Sequence, residues 1–383
     1  MKRGCVIGYD INEKGCQISY YDDSMEEPDT MMASSNNYLI PLVLGYFKDR
    51  WVFGKEAKRL AVVGEDCTET DLYGKAKRRE KVSLAGKTYD AVWLLAKYIS
   101  LTLQDFENIQ YLTFTTPETD VDMAKMLKGI GQHIGVDKEI INVQDYKESF
   151  CQYMIFQPKE LWQYESALFY CDEDRIKAYM LRRLRVDASH GMNSFVTVDE
   201  VANAQRKELE ALYPIMNKEK SPDESFKSMI ENVFEKKVIS SVYLTGEGFE
   251  KNWYPNSLRV LCNGRRAFMG NNLYSKGACY KSIRKCEPND DGPIYLDETK
   301  LTERICLRMR VDGQEGWYPL VTWGTHWYEA DGQWEVLLED ASDIEILVES
   351  LVDEEVQVEK VSLEGLPKRT DYSLRLQVEV MFL

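Results

Sequence analysis

The sequence predicts an α/β domain followed by a smaller, acidic domain made almost entirely of β-strands. Three observations carry this expectation. Across residues 1–286, short apolar strands alternate with segments of helical spacing. A run of turn formers, Glu287-Pro288-Asn289-Asp290-Asp291-Gly292-Pro293, then interrupts the chain. Charge is also uneven. The chain carries a formal −16, and residues 295–383 hold 20 acidic and 8 basic side chains, so −12 falls there and −4 on everything before it. The predicted division is therefore 1–286, a linker over 287–294, and 295–383.

The elements follow in order. Residues 6–10 form an apolar strand, residues 12–15 a turn ending in glycine, and residues 16–21 the return strand of a β-hairpin. Strands are predicted over 38–44, 51–53 and 111–114. A helix spans 91–103, with Trp93, Leu94, Ala96, Leu101 and Leu103 at helical spacing, and another spans 121–134 behind the N-cap Asp120. A second hairpin joins 166–170 to 176–181 around Asp172-Glu173-Asp174. Helices are predicted over 198–212 and 225–233, and a strand over 238–244. Beyond the breaker run, strands are predicted over 305–311, 317–327, 334–338, 344–348, 356–363 and 373–382. Ala330-Asp331-Gly332 is read as a D-G hairpin turn. Short strands at this spacing suggest a sandwich. No internal repeat is visible in the sequence.

The order of motifs resembles the DnaK-type heat-shock chaperones of the actin-like ATPase superfamily. Gly8-Tyr9-Asp10-Ile11-Asn12 is similar to their first phosphate loop, G-I-D-L-G. Ile40-Pro41-Leu42-Val43 followed by Phe53-Gly54-Lys55-Glu56-Ala57-Lys58 resembles I-P-S-V then V-G-x-A-A-K. Leu112 to Pro117 resembles the I-T-V-P strand end. Leu244-Thr245-Gly246-Glu247-Gly248-Phe249 resembles the adenosine turn L-V-G-G-S, and Lys276-Gly277-Ala278 the following R-G-A-A. In the C-terminal part, Val361 to Arg369 and Gln377 to Phe382 resemble the chaperones' peptide-binding β-domain. The resemblance implies an actin-like (ribonuclease H-like) duplicated ATPase fold followed by an all-β, sandwich-like domain. It implies ATP or ADP with Mg²⁺ as cofactor, held by Gly8, Asp10, Asn12, Gly246, Glu247, Gly248 and Gly277, with Asp10 as the metal-side carboxylate.

Several positions depart from that pattern. Asn12 stands where the first loop has glycine, and Glu13 and Lys14 replace hydroxyl residues. The second loop, D-L-G-G-G-T in the family, becomes Tyr170-Cys171-Asp172-Glu173-Asp174-Arg175. Three carboxylates then stand where glycine amides should meet phosphate, and like charges repel. Asp145 takes the place of a catalytic glutamate. Asp10 and Asp145 are thus the degenerate catalytic candidates, and Lys75 is the guess for the phosphate-facing lysine. The stretch between the second hairpin and the adenosine turn is also short for the family. The expected outcome is a pseudo-ATPase. Simpler readings stand beside these: Asp10 as a turn residue, Asp172 to Asp174 as a solvated hairpin tip, Gly246 and Gly248 as turn formers, and Gly277 as a site of close helix packing.

Trp317, Trp323, Trp327 and Trp334 are expected on one hairpin, either filling the core or offering a partner surface. His133, His190 and His326 lack metal-ligand spacing. Nine cysteines, an odd number without C-x-x-C, suggest a reducing compartment, and no segment approaches a membrane span or a signal peptide. The acidic balance speaks against nucleic acid. The resulting expectation is a cytoplasmic, chaperone-like scaffold that binds a protein or peptide and does not engage nucleic acid or membrane. The alternatives are a divergent active chaperone ATPase and an actin-like assembly protein. Oligomeric state is left open.

Overall fold

The computed structural model describes residues 4–34, 37–64, 67–184, 194–205, 222–251, 253–286, 292–338, 343–351, 356–364 and 374–381. It divides into two units, residues 1–182 with 198–291, and residues 183–197 with 292–383. Most of the predicted breaker run, residues 287–291, lies outside the described residues, as does His190.

In the first unit, the apolar run Cys5–Ile11 (β1) turns back into Gly15–Tyr21 (β2), and Asp29–Thr30 (β3) and Ile40–Pro41 (β4) pair with β2. The strand expected over 38–44 is shorter than predicted. Pro41 has no N–H to extend the ladder, and pairing resumes only at Leu44–Phe47 (β5). Next come Arg50–Phe53 (β6), helix Gly54–Val63 (α1), Thr68–Glu69 (β7), helix Leu72–Lys77 (α2), and the hairpin Lys81–Leu84 (β8) and Lys87–Asp90 (β9). Helix Ala91–Thr102 (α3) starts at Asp90, whose carboxylate accepts from the N–H groups of Val92 and Trp93. Ile109–Thr116 (β10) leads to helix Val121–His133 (α4), capped by Asp120 onto Met123 N. Ile141–Asp145 (β11) and helix Tyr146–Ile155 (α5) close this half.

The second half repeats the plan. Glu165–Cys171 (β12) and Arg175–Leu184 (β13) form a hairpin, followed by Phe195–Gln205 (β14), helix Pro222–Phe234 (α6), Ile239–Thr245 (β15), helix Pro255–Leu261 (α7), Arg266–Met269 (β16) and helix Leu273–Cys286 (α8). The helix expected over 198–212 is corrected over residues 198–205, which belong to β14; residues 206–212 lie outside the described residues. The β-branched run entering β14, Val196-Thr197-Val198, favours an extended chain on a sheet over the helical spacing read further along.

The two sheets share one topology. The first runs β11-β10-β1-β2-β3 and the second β16-β15-β12-β13-β14. In each, an antiparallel hairpin sits at the centre and two later strands add in parallel to its first strand. The registers correspond. Ile11 pairs with Cys16 and Cys171 with Ile176, while Asp10 faces Thr115 and Tyr170 faces Thr245. The closing helices interlock the halves. α8 lies on β1 and β2 through Ser275 to Ser19 at 2.8 Å, and Ser282 meets Thr113 of β10 at 2.8 Å. α5 meets β15 of the other half, with the Phe150 and Tyr243 rings 6.0 Å apart. α5 and α8 also bind each other through Lys281 and Glu148 at 2.8 Å.

In the second unit, Ile294–Tyr295 (β17) pairs in parallel with Phe195 and Val196. Glu303–Val311 (β18), Gln314–Val321 (β19), Asp343–Ser350 (β21) and Val356–Ser362 (β22) form a sheet in the order β19-β18-β21-β22. Gly332–Leu338 (β20) and Leu374–Val380 (β23) form a separate ribbon. The expected D-G hairpin at Asp331-Gly332 is therefore corrected. The two-residue turn is Asp312-Gly313, where Val311 pairs with Gln314 and both turn residues have positive φ (49° and 83°). That is the backbone a right-twisted hairpin needs. The four tryptophans consequently do not share one hairpin: Trp317 is on β19, Trp334 on β20, and Trp327 in the short 3₁₀ turn Trp327–Glu329. Trp323 is buried with Phe195, Leu296 and Leu351 in the core of this unit. One face of the sheet carries cross-strand ion pairs, among them Arg304 with Glu349 and Arg308 with Glu345. Among the described residues no helix is long and apolar enough to cross a membrane.

Candidate functional site

The two hairpin tips of the first unit are built alike. At the β1–β2 tip, the Asn12 side-chain oxygen accepts from Lys14 N at 2.9 Å and Gly15 N at 3.3 Å, and Asn12 N donates to Gly15 O. At the β12–β13 tip, Asp172 Oδ1 accepts from Asp174 N and Arg175 N, both at 2.7 Å, and Asp172 N donates to Arg175 O. Both are four-residue loops closed by an Asn or Asp side chain, which can replace a backbone acceptor in a turn. Two amides of each tip are thereby satisfied within the tip. Glu173 and Asp174 are exposed, as expected for a solvated tip.

Behind the first tip lies Asp10, which is 4% exposed. The Tyr146 hydroxyl donates to Asp10 Oδ1 at 2.7 Å and accepts from Asn12 Nδ2 at 2.9 Å. Burial pushes the Asp10 carboxyl up to about 7, against the lowering effect of the tyrosine hydrogen bond. Tyr146 itself stacks on Tyr274 of α8, rings 3.7 Å apart and 7° from parallel. Burial raises the hydroxyl pKa of both, and nearby Asp10 raises each further. Tyr170, at the position matching Asp10 in the second half, is also raised by burial first, then by Asp172, Glu247 and Asp10. A carboxylate, an amide and three phenols thus occupy the space around the strand ends. Sequence reasoning missed these tyrosines. The available signal was a chain holding 23 tyrosines, with Tyr170 opening the quoted second loop and Tyr146 directly following Asp145.

The glycines assigned to a nucleotide face the protein's own backbone. A Cβ on Gly8 would lie 2.2 Å from Cys279 N and from Ser275 O of α8. One on Gly277 would lie 1.9 Å from Ser149 O of α5, and one on Gly248 2.2 Å from Cys171 Sγ. Gly246 has φ +95°, and its Cβ would meet Cys171 O at 2.2 Å. These glycines permit close packing and a left-handed turn. Next to Gly246, Glu247 forms an ion pair with Lys14, tying the first tip to the turn after β15. Asp145 caps α5 by accepting from Glu148 N at 2.8 Å. Lys75 binds Glu69 at 2.9 Å. Among the described residues, no three His, Cys, Asp or Glu side chains are grouped to hold a metal ion.

A family model described as the C-terminal part of a family of unknown function, DUF5716, matches residues 27–298. The chain belongs to the DUF5716 family. In this member a second match, a domain of unknown function named DUF8552, covers residues 300–383. The two matches thus meet around Thr299. No curated protein matches the chain. In this DUF5716 member the second tip and the glycine-packed helices fall inside the first match, Asp10 and the first tip lie N-terminal to it, and Trp317, Trp323, Trp327 and Trp334 fall inside the second.

Proposed function

We propose that the first unit is a duplicated actin-like, ribonuclease H-like fold of DnaK type whose cleft no longer grips a magnesium nucleotide. On this reading the chain works in the cytoplasm as a protein- or peptide-binding scaffold. The repeated strand order supports the fold. Support for the lost grip comes from one observation above all: both tips satisfy their own amides through Asn12 and Asp172.

The residues present do not fit a magnesium triphosphate. A phosphate-cradling loop needs backbone N–H groups free to point at the oxygens, with glycine to let them approach. Here two amides per tip are taken, and Glu13, Glu173 and Asp174 add negative charge where a polyphosphate would lie. Asp10 is buried against Tyr146, and its raised pKa disfavours the charged form a metal would need. No hydrolytic step is therefore assigned to these side chains. What they do is structural. Tyr146 and Asn12 hold Asp10, Asp145 starts α5, and Lys14 with Glu247 closes the turn. In the second unit, Trp317 and Trp327 stay exposed at 38% and 44% and suit a partner contact, whereas Trp323 belongs to the core.

Calorimetric titration of the whole chain with ATP and Mg²⁺ tests this. The expected result is no binding heat up to about 1 mM nucleotide, the range of only ~4 kcal/mol affinity. Micromolar binding with turnover would overturn the proposal.

A further inference from the structure

A pocket of about 600 Å³ opens at the far end of the first hairpin, where β1 begins and β2 ends. By strand length it lies roughly 20 Å from the tip. Its lining includes two rings, Tyr20 and Phe106, 5.4 Å apart and tilted by 57°, together with Met31 and Met32. Its wall carries four carboxylates, Asp22, Asp29, Asp105 and Glu107, and no lysine or arginine. Met32 is 58% exposed, and Asp29 and Asp105 are exposed as well. Among the described residues neither Asp29 nor Asp105 forms an ion pair with a basic side chain.

We propose that this pocket binds an arginine side chain presented by a basic segment of a partner protein. Charge complementarity selects a cation, and the rings and thioethers of the lining select which one. A guanidinium stacks on aromatic faces while its fork of donors reaches carboxylates. Thioether sulfur adapts to the alkyl stem. Hard divalent cations take oxygen ligands in a compact shell and gain nothing from rings and thioethers. The volume falls within the range of small-ligand sites and leaves room for residues flanking the arginine. This deepens the scaffold reading and rests on it only in taking the partner to be a protein. Nucleotide binding plays no part, so each can fail separately.

The test is fluorescence anisotropy of a labelled peptide of alternating arginine and alanine, titrated with the whole chain at about 0.15 M salt. Saturable one-to-one binding is expected, with the lysine version binding more weakly. Asp29→Asn with Asp105→Asn should weaken it at least tenfold, and Phe106→Ala severalfold. Thermal melts establish that these variants fold. Glu335→Gln with Glu379→Gln, an equal loss of charge on the second unit, should leave the affinity within twofold. Equal weakening by both pairs would mean general attraction to an acidic chain and overturn the proposal. So would unsaturable binding, or displacement of the peptide by sub-millimolar Ca²⁺.

Discussion

Asp10 sits at the end of β1 with its carboxyl pushed up to about 7 by burial. In an unfolded chain it would lose its proton near pH 4. Between those values the folded state binds more protons than the unfolded state, so this group lowers stability as pH rises from about 4 to about 7, and the cost persists above. Asp10→Asn keeps an acceptor for Tyr146 and removes the charge. It is expected to stabilise the fold at pH 8 by roughly 2–4 kcal/mol and to change little at pH 4. Urea melts at the two pH values measure this, and a loss at both would contradict it. Gly277 makes a second case. Its Cβ would meet Ser149 O at 1.9 Å, so Gly277→Ala should cost about 2–3 kcal/mol or more by differential scanning calorimetry. Gly129→Ala, in open space within α4, should be neutral or slightly stabilising. Close helix packing at Gly277 was legible in the sequence as one of two readings. Gly8 was not, because its neighbour in space is more than 260 residues away in the chain.

Elements that announce themselves locally were the ones the sequence revealed. Both central hairpins, α3 and α4 follow from apolar period and caps, and Asp120 caps as expected. α1 and α2 went unread although half of each is apolar: residues 54–58 of α1 were read only as a motif, and α2, at six residues, is too short for a period to show. The second unit contains two Asp-Gly pairs, and only backbone pairing decides between them. Asp312-Gly313 separates two strands that pair, whereas a 3₁₀ turn precedes Asp331-Gly332. Gly313→Val should therefore destabilise the β18–β19 hairpin by about 1–2 kcal/mol, because φ +83° suits glycine. At Gly332, which is not among the positive-φ residues, the same change meets the Trp334 ring 2.3 Å from the new Cβ instead, so its cost comes from moving that ring and not from backbone strain. At the tips, Asp172→Ala removes an acceptor shared by two amides and should cost about 1–2 kcal/mol, while Asp172→Asn should cost much less. Urea denaturation of the four variants separates these outcomes.

For the first unit as a whole, the repeated topology is the strongest regularity; the motif order implied a duplicated fold, but no repeat of residues shows it. Matching positions hold different residues, Asp10 against Tyr170 and Gly8 against Leu168, because each half packs a different neighbour. What persists is Thr115 with Thr245 on the parallel strands, and Asn12 with Asp172 closing the tips. The acidic, glycine-free second tip was legible as a poor phosphate cradle. Its closure by its own side chain was not, since that depends on loop geometry. The most direct measurement follows backbone amide resonances of Lys14, Gly15, Asp174 and Arg175 while Mg²⁺ and ATP are added to about 1 mM, against a titration of Mg²⁺ alone. All four are expected to stay in place and keep their hydrogen-exchange rates. Saturable shifts of both tips together, with new protection, would contradict it.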